Sequence, residues 1–95
     1  MKYIYAISVV TENTLRVLQR IAGIFARQRV NIEQMNVFET SNKGTSYFNI
    51  VFHSDPKTTD RVVKQLQKIF ELKDLKINSK IPLLEQVNIP LQSIN

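Results

Sequence analysis

The chain has 95 residues, 43% of them hydrophobic, and carries a net charge of +5. That is one domain with enough apolar material for a core, which excludes a disordered chain. The absence of cysteine excludes disulfides, thiolate chemistry and Cys-type zinc sites.

Residues 3–11, YIYAISVVT, are β-branched and aromatic and are expected as a first strand. Tyr5, Ile7 and Val9 fall on one face, and Ile4, Ala6, Ser8 and Val10 on the other. The start MKYIYAISVV lacks the continuous apolar core of a signal peptide, and no stretch approaches the roughly 18 apolar residues of a membrane span. We therefore expect a soluble, cytoplasmic protein with no membrane partner. Glu12-Asn13-Thr14 supplies N-cap candidates for a helix over about 14–28, with Leu18, Ile21, Ala22 and Phe25 as its apolar stripe.

VNIEQMNVFET, residues 30–40, reads as a second strand of mixed polarity, suited to an edge or an interface. Ser41-Asn42-Lys43-Gly44 predicts a tight hairpin with Gly44 in the left-handed position. A third strand over 45–54 puts Phe48, Ile50 and Phe52 on one face and Tyr47, Asn49, Val51 and His53 on the other. Ser54 or Asp55 caps a second helix that opens on Pro56 and buries Val62, Val63, Leu66, Ile69 and Phe70. A fourth strand over about 71–79 alternates through Leu72, Leu75 and Ile77. From Lys80 onward, Pro82 and Pro90 predict an extended tail docked on another surface. The order βαββαβ is α+β and ferredoxin-like, with two helices on one face of a four-stranded antiparallel sheet.

Reactive groups are scarce. His53 is the only histidine, and with two glycines in the chain there is no Gly-rich phosphate loop. Neither catalysis nor a metal site is expected. Lys57, Arg61, Lys64 and Lys68 fall on one stripe of the second helix, and Arg16, Arg20 and Arg27 on the first. Such stripes are solvated faces, contacts for an acidic protein, or a nucleic-acid footprint. Against nucleic acid, only Tyr47 is placed like the stacking aromatics of RNA-binding βαββαβ domains. The first strand-to-helix junction is different, because Asn13 and the free N–H groups of residues 14–17 can hold a carboxylate or merely cap the helix.

TENTLRVLQRIAGIFARQRVNIEQMNVFET, with VVKQLQKIFELKDLKI further on, resembles an ACT domain of the acetohydroxyacid (acetolactate) synthase small-subunit family. The matching features are Glu12-Asn13, Leu18, Arg20-Ile21, Gly23-Ile24-Phe25, Asn31-Ile32-Glu33, Val37 and Lys64-Gln65-Leu66 with Lys68. The resemblance implies a non-catalytic regulatory subunit of branched-chain amino-acid biosynthesis that binds and activates a large catalytic subunit. That partner would hold thiamine diphosphate, magnesium and FAD, with no cofactor on this chain. It implies a homodimer paired through the second strand and first helix. Valine would lie between the chains, held by Asn13, Thr14, Leu15 and Arg16 of one and by Asn31 and Ile32 of the other. Arg61, Lys64 and Lys68 are our candidates for touching the catalytic subunit.

The family pattern carries glycine where this chain has Arg16 and again where it has Arg29. A side chain at 16 is expected to occlude the valine pocket, unless it pairs with Glu12 one turn back or grips another anion. Arg29 is expected at a left-handed helix cap, at a cost of about 1 kcal/mol. The helix glycine, Gly23, implies close packing against a strand or a second chain. The resemblance is to short, single-domain small subunits, with the ACT domain over 1–79 and the tail over 80–95. A stand-alone ACT amino-acid sensor and a basic nucleic-acid-binding domain are the alternatives.

Overall fold

The computed structural model describes residues 1–12, 14–39 and 44–83. They form β1 (Tyr3–Glu12), α1 (Thr14–Arg27), β2 (Ile32–Glu39), β3 (Thr45–Ser54), α2 (Pro56–Leu66) and β4 (Leu72–Pro82). All strand pairs are antiparallel, in the order β2-β3-β1-β4, so β1 and β3 are central and β2 and β4 are the edges. This is the expected ferredoxin-like βαββαβ arrangement.

The core lies between one sheet face and the helices. Tyr5, Ile7 and Val9 of β1 and Phe48, Ile50 and Phe52 of β3 are all buried, as their alternation predicts. Phe52 is the hub, stacked on Tyr5 at 5.4 Å and met edge-on by Phe25 at 5.0 Å. On α1 the buried stripe is Val17, Ile21, Ile24 and Phe25. It is rotated from the expected one, because the branched side chains of Val17 and Ile24 fill the core while Ala22 is exposed. Phe70 is a second correction, at 91% exposed. The helical ladder stops at Leu66, and the turns closed by Lys68 N–H to Gln65 C=O and Ile69 N–H to Leu66 C=O end the periodicity before Phe70.

Three register shifts shape the sheet. On β4 they leave Lys73 and Asn78 as extra residues, which breaks the expected alternation and leaves Ile77 half exposed. Asn78 donates to Ser8 Oγ, and Ser8 Oγ donates to Asn49 Oδ1 at 3.3 Å, tying three strands on the open face. β4 also continues past the expected end at 79, pairing Ile81 with Ile4 and Pro82 with Tyr3, and Leu83 N–H donates to Lys2 C=O. The first residues of the expected tail are thus strand, and the rest of it, 84–95, lies outside the described residues. So do residues 41–43 of the hairpin, although Gly44 has the expected positive φ of 83°.

Asp55 caps α2. Its carboxylate accepts from Thr58 N–H at 2.7 Å and from the Thr58 hydroxyl at 3.1 Å, and these bonds hold its pKa below the ordinary aspartate value. A carboxyl whose pKa is lower folded than unfolded stabilises above its unfolded pKa and loses that contribution as pH falls through the folded one. The wild-type urea midpoint should therefore drop as pH is lowered below about 4. Asp55→Asn should flatten that drop, measured as midpoint against pH.

At the C-terminal end of α1, Val30 N–H donates to Phe25 C=O at 2.9 Å and Arg29 N–H to Ala26 C=O at 3.0 Å. This is a Schellman cap with Arg29 at the left-handed position, φ 59°. The expected strain at 29 is present. Arg29→Gly should raise stability by up to about 1 kcal/mol, a Tm increase of about 4–8 °C. A thermal melt checks this, and Arg29→Val should shift Tm the other way.

Candidate functional site

β1 ends at Glu12 and α1 begins at Thr14, so the N–H groups of the first helical turn, which have no partner within the helix, open at the end of a central strand. Asn13 lies outside the described residues, and of Thr14 only its place at the head of α1 is described. Leu15 is 79% exposed, Arg16 is exposed, and Val17 turns into the core. The first turn holds no acidic residue, so Arg16 faces the positive helix end at a cost on the order of 0.3–1 kcal/mol. The alternative pairing of Arg16 with Glu12 is not formed. The bulge at Lys73 carries its ammonium to 3.7 Å from Glu12 Oε2, and among the described residues no carboxylate lies within ion-pair distance of Arg16.

Asn31 is exposed ahead of β2, and Ile32 opens that strand, half buried. The register places Ile32 opposite Phe52, which in turn pairs with Tyr5 near the start of β1. The β1–α1 junction lies at the far end of β1, on the order of 23 Å along the strand. One chain therefore does not bring Asn31 and Ile32 to Leu15 and Arg16. Glu39, at the other end of β2, pairs with Ser46, which pairs with Thr11. That end of β2 is level with the junction.

The two edges differ. β4 carries Lys73, Lys76 and Lys80 and ends on Pro82, residues that blunt an edge against further pairing. β2 carries neither lysine nor proline, and most of its residues are exposed. On its open face Phe38, 52% exposed, stacks on Tyr47 at 5.4 Å with the rings 5° from parallel. The aromatic partner of Tyr47 was hidden in the sequence, because only the β2–β3 register brings the two rings together. His53 lies on the same open face, as expected, with Nδ1 4.0 Å from Glu33 Oε2.

The basic residues expected to touch a partner are spread along α2 and past its end. Arg61 and Lys64 are exposed, and Lys64 pairs with Asp60 at 3.1 Å. Lys68 sits in the turn after the helix. It lines a groove of about 410 Å³ between α1 and α2, with Gln19, Arg20, Gly23, Ile24, Arg27 and Gln65. Arg20 Nη1 is 3.8 Å from Glu71 Oε1, a carboxylate that is mostly buried. Among the described residues a Cβ at Gly23 would meet only Arg27 Nη1, at 3.6 Å, so of the two expected neighbours, a strand or a second chain, no strand packs against it. Among the described residues, no group of three or more His, Asp or Glu side chains is placed to hold a metal ion, and no helix is long and apolar enough to cross a membrane.

Comparison with known proteins fits this geometry. Residues 7–72 match the family described as AHAS small subunit-like ACT domain. A probable acetolactate synthase small subunit from Archaeoglobus fulgidus is 40% identical over 67 residues, covering 70% of this chain and 42% of that protein. A counterpart from Methanothermobacter thermautotrophicus is 34% identical over 68 residues, covering 72% and 40%. The chain thus spans about two fifths of the length of these curated relatives. The crystal structure of the acetolactate synthase small subunit from Thermotoga maritima superposes with a TM-score of 0.68 at 28% identity, over 78% of this chain and 46% of that one. The ACT domain of the GTP pyrophosphokinase of Chlorobium tepidum, at 15% identity and TM-score 0.67, shares the fold alone. With the family match running from the middle of β1 to the start of β4, the chain belongs to the AHAS small subunit-like ACT domain family.

Proposed function

We propose that this chain is a non-catalytic regulatory subunit that binds and activates the large catalytic subunit of an acetohydroxyacid (acetolactate) synthase in branched-chain amino-acid biosynthesis. The observation that carries the reading is the 40% identity to an acetolactate synthase small subunit across the ACT domain. The chemistry stays on the partner, which supplies thiamine diphosphate, magnesium and FAD. This chain contributes binding surfaces and no reacting group. It acts in the cytoplasm.

The unguarded β2 edge supports a homodimer in which two β2 strands pair antiparallel into an eight-stranded sheet. Such pairing sets the start of one β2 beside the end of the other, level with that chain's β1–α1 junction. Asn31 and Ile32 of one chain then come to the β1–α1 junction of the other, where Asn13, Thr14, Leu15 and Arg16 fall in the sequence. A valine carboxylate fits the free N–H groups there, and the long Arg16 side chain fills that space and weakens the binding. The exposed cations Arg61, Lys64 and Lys68 serve contact with the catalytic subunit.

Co-elution on a sizing column tests the partnership. The chain mixed with the same organism's catalytic subunit should elute as a complex. Two separate peaks at micromolar concentration would reject the reading.

A further inference from the structure

We infer that the groove between α1 and α2 seats an acidic segment of a partner protein. Among the described residues three cations line it, Arg20 and Arg27 from α1 and Lys68 after α2, with two amides, Gln19 and Gln65, and no carboxylate. The cations continue beyond the groove. Arg16 lies one turn before Arg20 on α1, and Arg61 one turn before Gln65 on α2. The result is a double row of positive charge longer than a small anion would use. Arg20 stands at the rim 3.8 Å from the mostly buried Glu71 Oε1, a long ion pair beyond hydrogen-bond reach.

Gly23 points independently to an occupant. A glycine inside a helix weakens it, and nothing among the described residues requires this one. Its φ is not positive, and an added Cβ would touch only the end of the flexible Arg27 side chain, at the ordinary distance of 3.6 Å. Bare backbone in the lining of a charged groove lets a second chain come close, and the side-chain amides of Gln19 and Gln65 suit its peptide groups. A nucleic-acid strand fits less well, because among the described residues the lining has no aromatic side chain on which a base could stack. The regulatory-subunit reading enters only in naming the owner of the segment, the catalytic subunit.

The test uses the full chain and a fluorescein-labelled peptide of alternating Glu and Ala, read by anisotropy at physiological salt, with oligo-dT of equal charge as comparator. Arg27→Glu should weaken peptide binding about tenfold. Lys76→Glu makes the same change of net charge on β4, outside the groove, and should weaken it less than about twofold. Gly23→Ala should raise Tm by about 4 °C and still weaken binding at least about threefold, an opposition that a purely structural role for Gly23 would not produce. Equal losses for Arg27→Glu and Lys76→Glu would reduce the groove to general charge attraction and overturn the inference. So would unchanged affinity in Gly23→Ala, or tighter binding of oligo-dT than of peptide. In parallel, Gly23→Ala should weaken assembly with the catalytic subunit. Selective peptide binding without assembly of the wild-type chain would reject the named partner and uphold the groove.

Discussion

Phe52→Ala should remove about 3–5 kcal/mol of stability, a large part of the roughly 5–15 kcal/mol that holds a domain of this size together. Phe52 is fully buried on the central strand β3, and its ring joins sheet to helix by stacking on Tyr5 and meeting the edge of Phe25. Truncation leaves a void bounded by β1, β3 and α1, which the paired strands prevent from closing. Two aromatic contacts, each worth about 0.5–1.5 kcal/mol beyond area burial, go with it. Urea titration should show the midpoint falling steeply, with Tm lower by about 15–30 °C. Val51→Ala, on the other face of the same strand and only half buried, should cost far less. A loss for Phe52→Ala no larger than that of Val51→Ala would mean that the core does not centre on β3.

Arg16→Gly should increase valine affinity at least about tenfold, equivalent to about 1.4 kcal/mol. The expectation rests on the exposed place of Arg16 in the first turn of α1, without an ion pair among the described residues. In the proposed pocket it gives no electrostatic return for the volume it would fill beside the N–H groups of the first helical turn. Glycine uncovers those groups and removes a cation from the positive helix end. Glycine in a first turn is also weaker helix, so the variant should bind better while being no more stable. Isothermal titration with valine separates the two effects. Unchanged affinity would place Arg16 outside the effector pocket.

Much of the fold was readable because its signals are local. The run Thr45–Ser54 alternates without interruption, and β3 spans those residues. Gly44 and Arg29 both take the left-handed conformation expected of them. What escaped prediction depends on contacts distant in sequence. Val17 and Ile24 joined the α1 stripe because of how the helix rolls on the sheet, which its own periodicity fixes only to within a residue. Phe70 looked like the next turn of α2, yet the helix had already ended. The bulges at Lys73 and Asn78 exist only in the pairing of β4 with β1, and one of them gives Glu12 a partner other than Arg16.

The candidate site was readable in the same uneven way. Its residue types were visible in the chain, and the basic stripes are exposed as expected, although Lys68 lies in the turn after α2 and not on the helix. The distance along β1 that separates Asn31 and Ile32 from Leu15 and Arg16 came only from the strand register. The groove beside Gly23 requires both helices in place.

Acetolactate formation by the same organism's catalytic subunit, with and without this chain, at zero and millimolar valine, tests the regulatory-subunit account most directly. The account predicts a several-fold higher rate when the chain is added, with little reversal by valine in the wild type. An unchanged rate at saturating chain would contradict it.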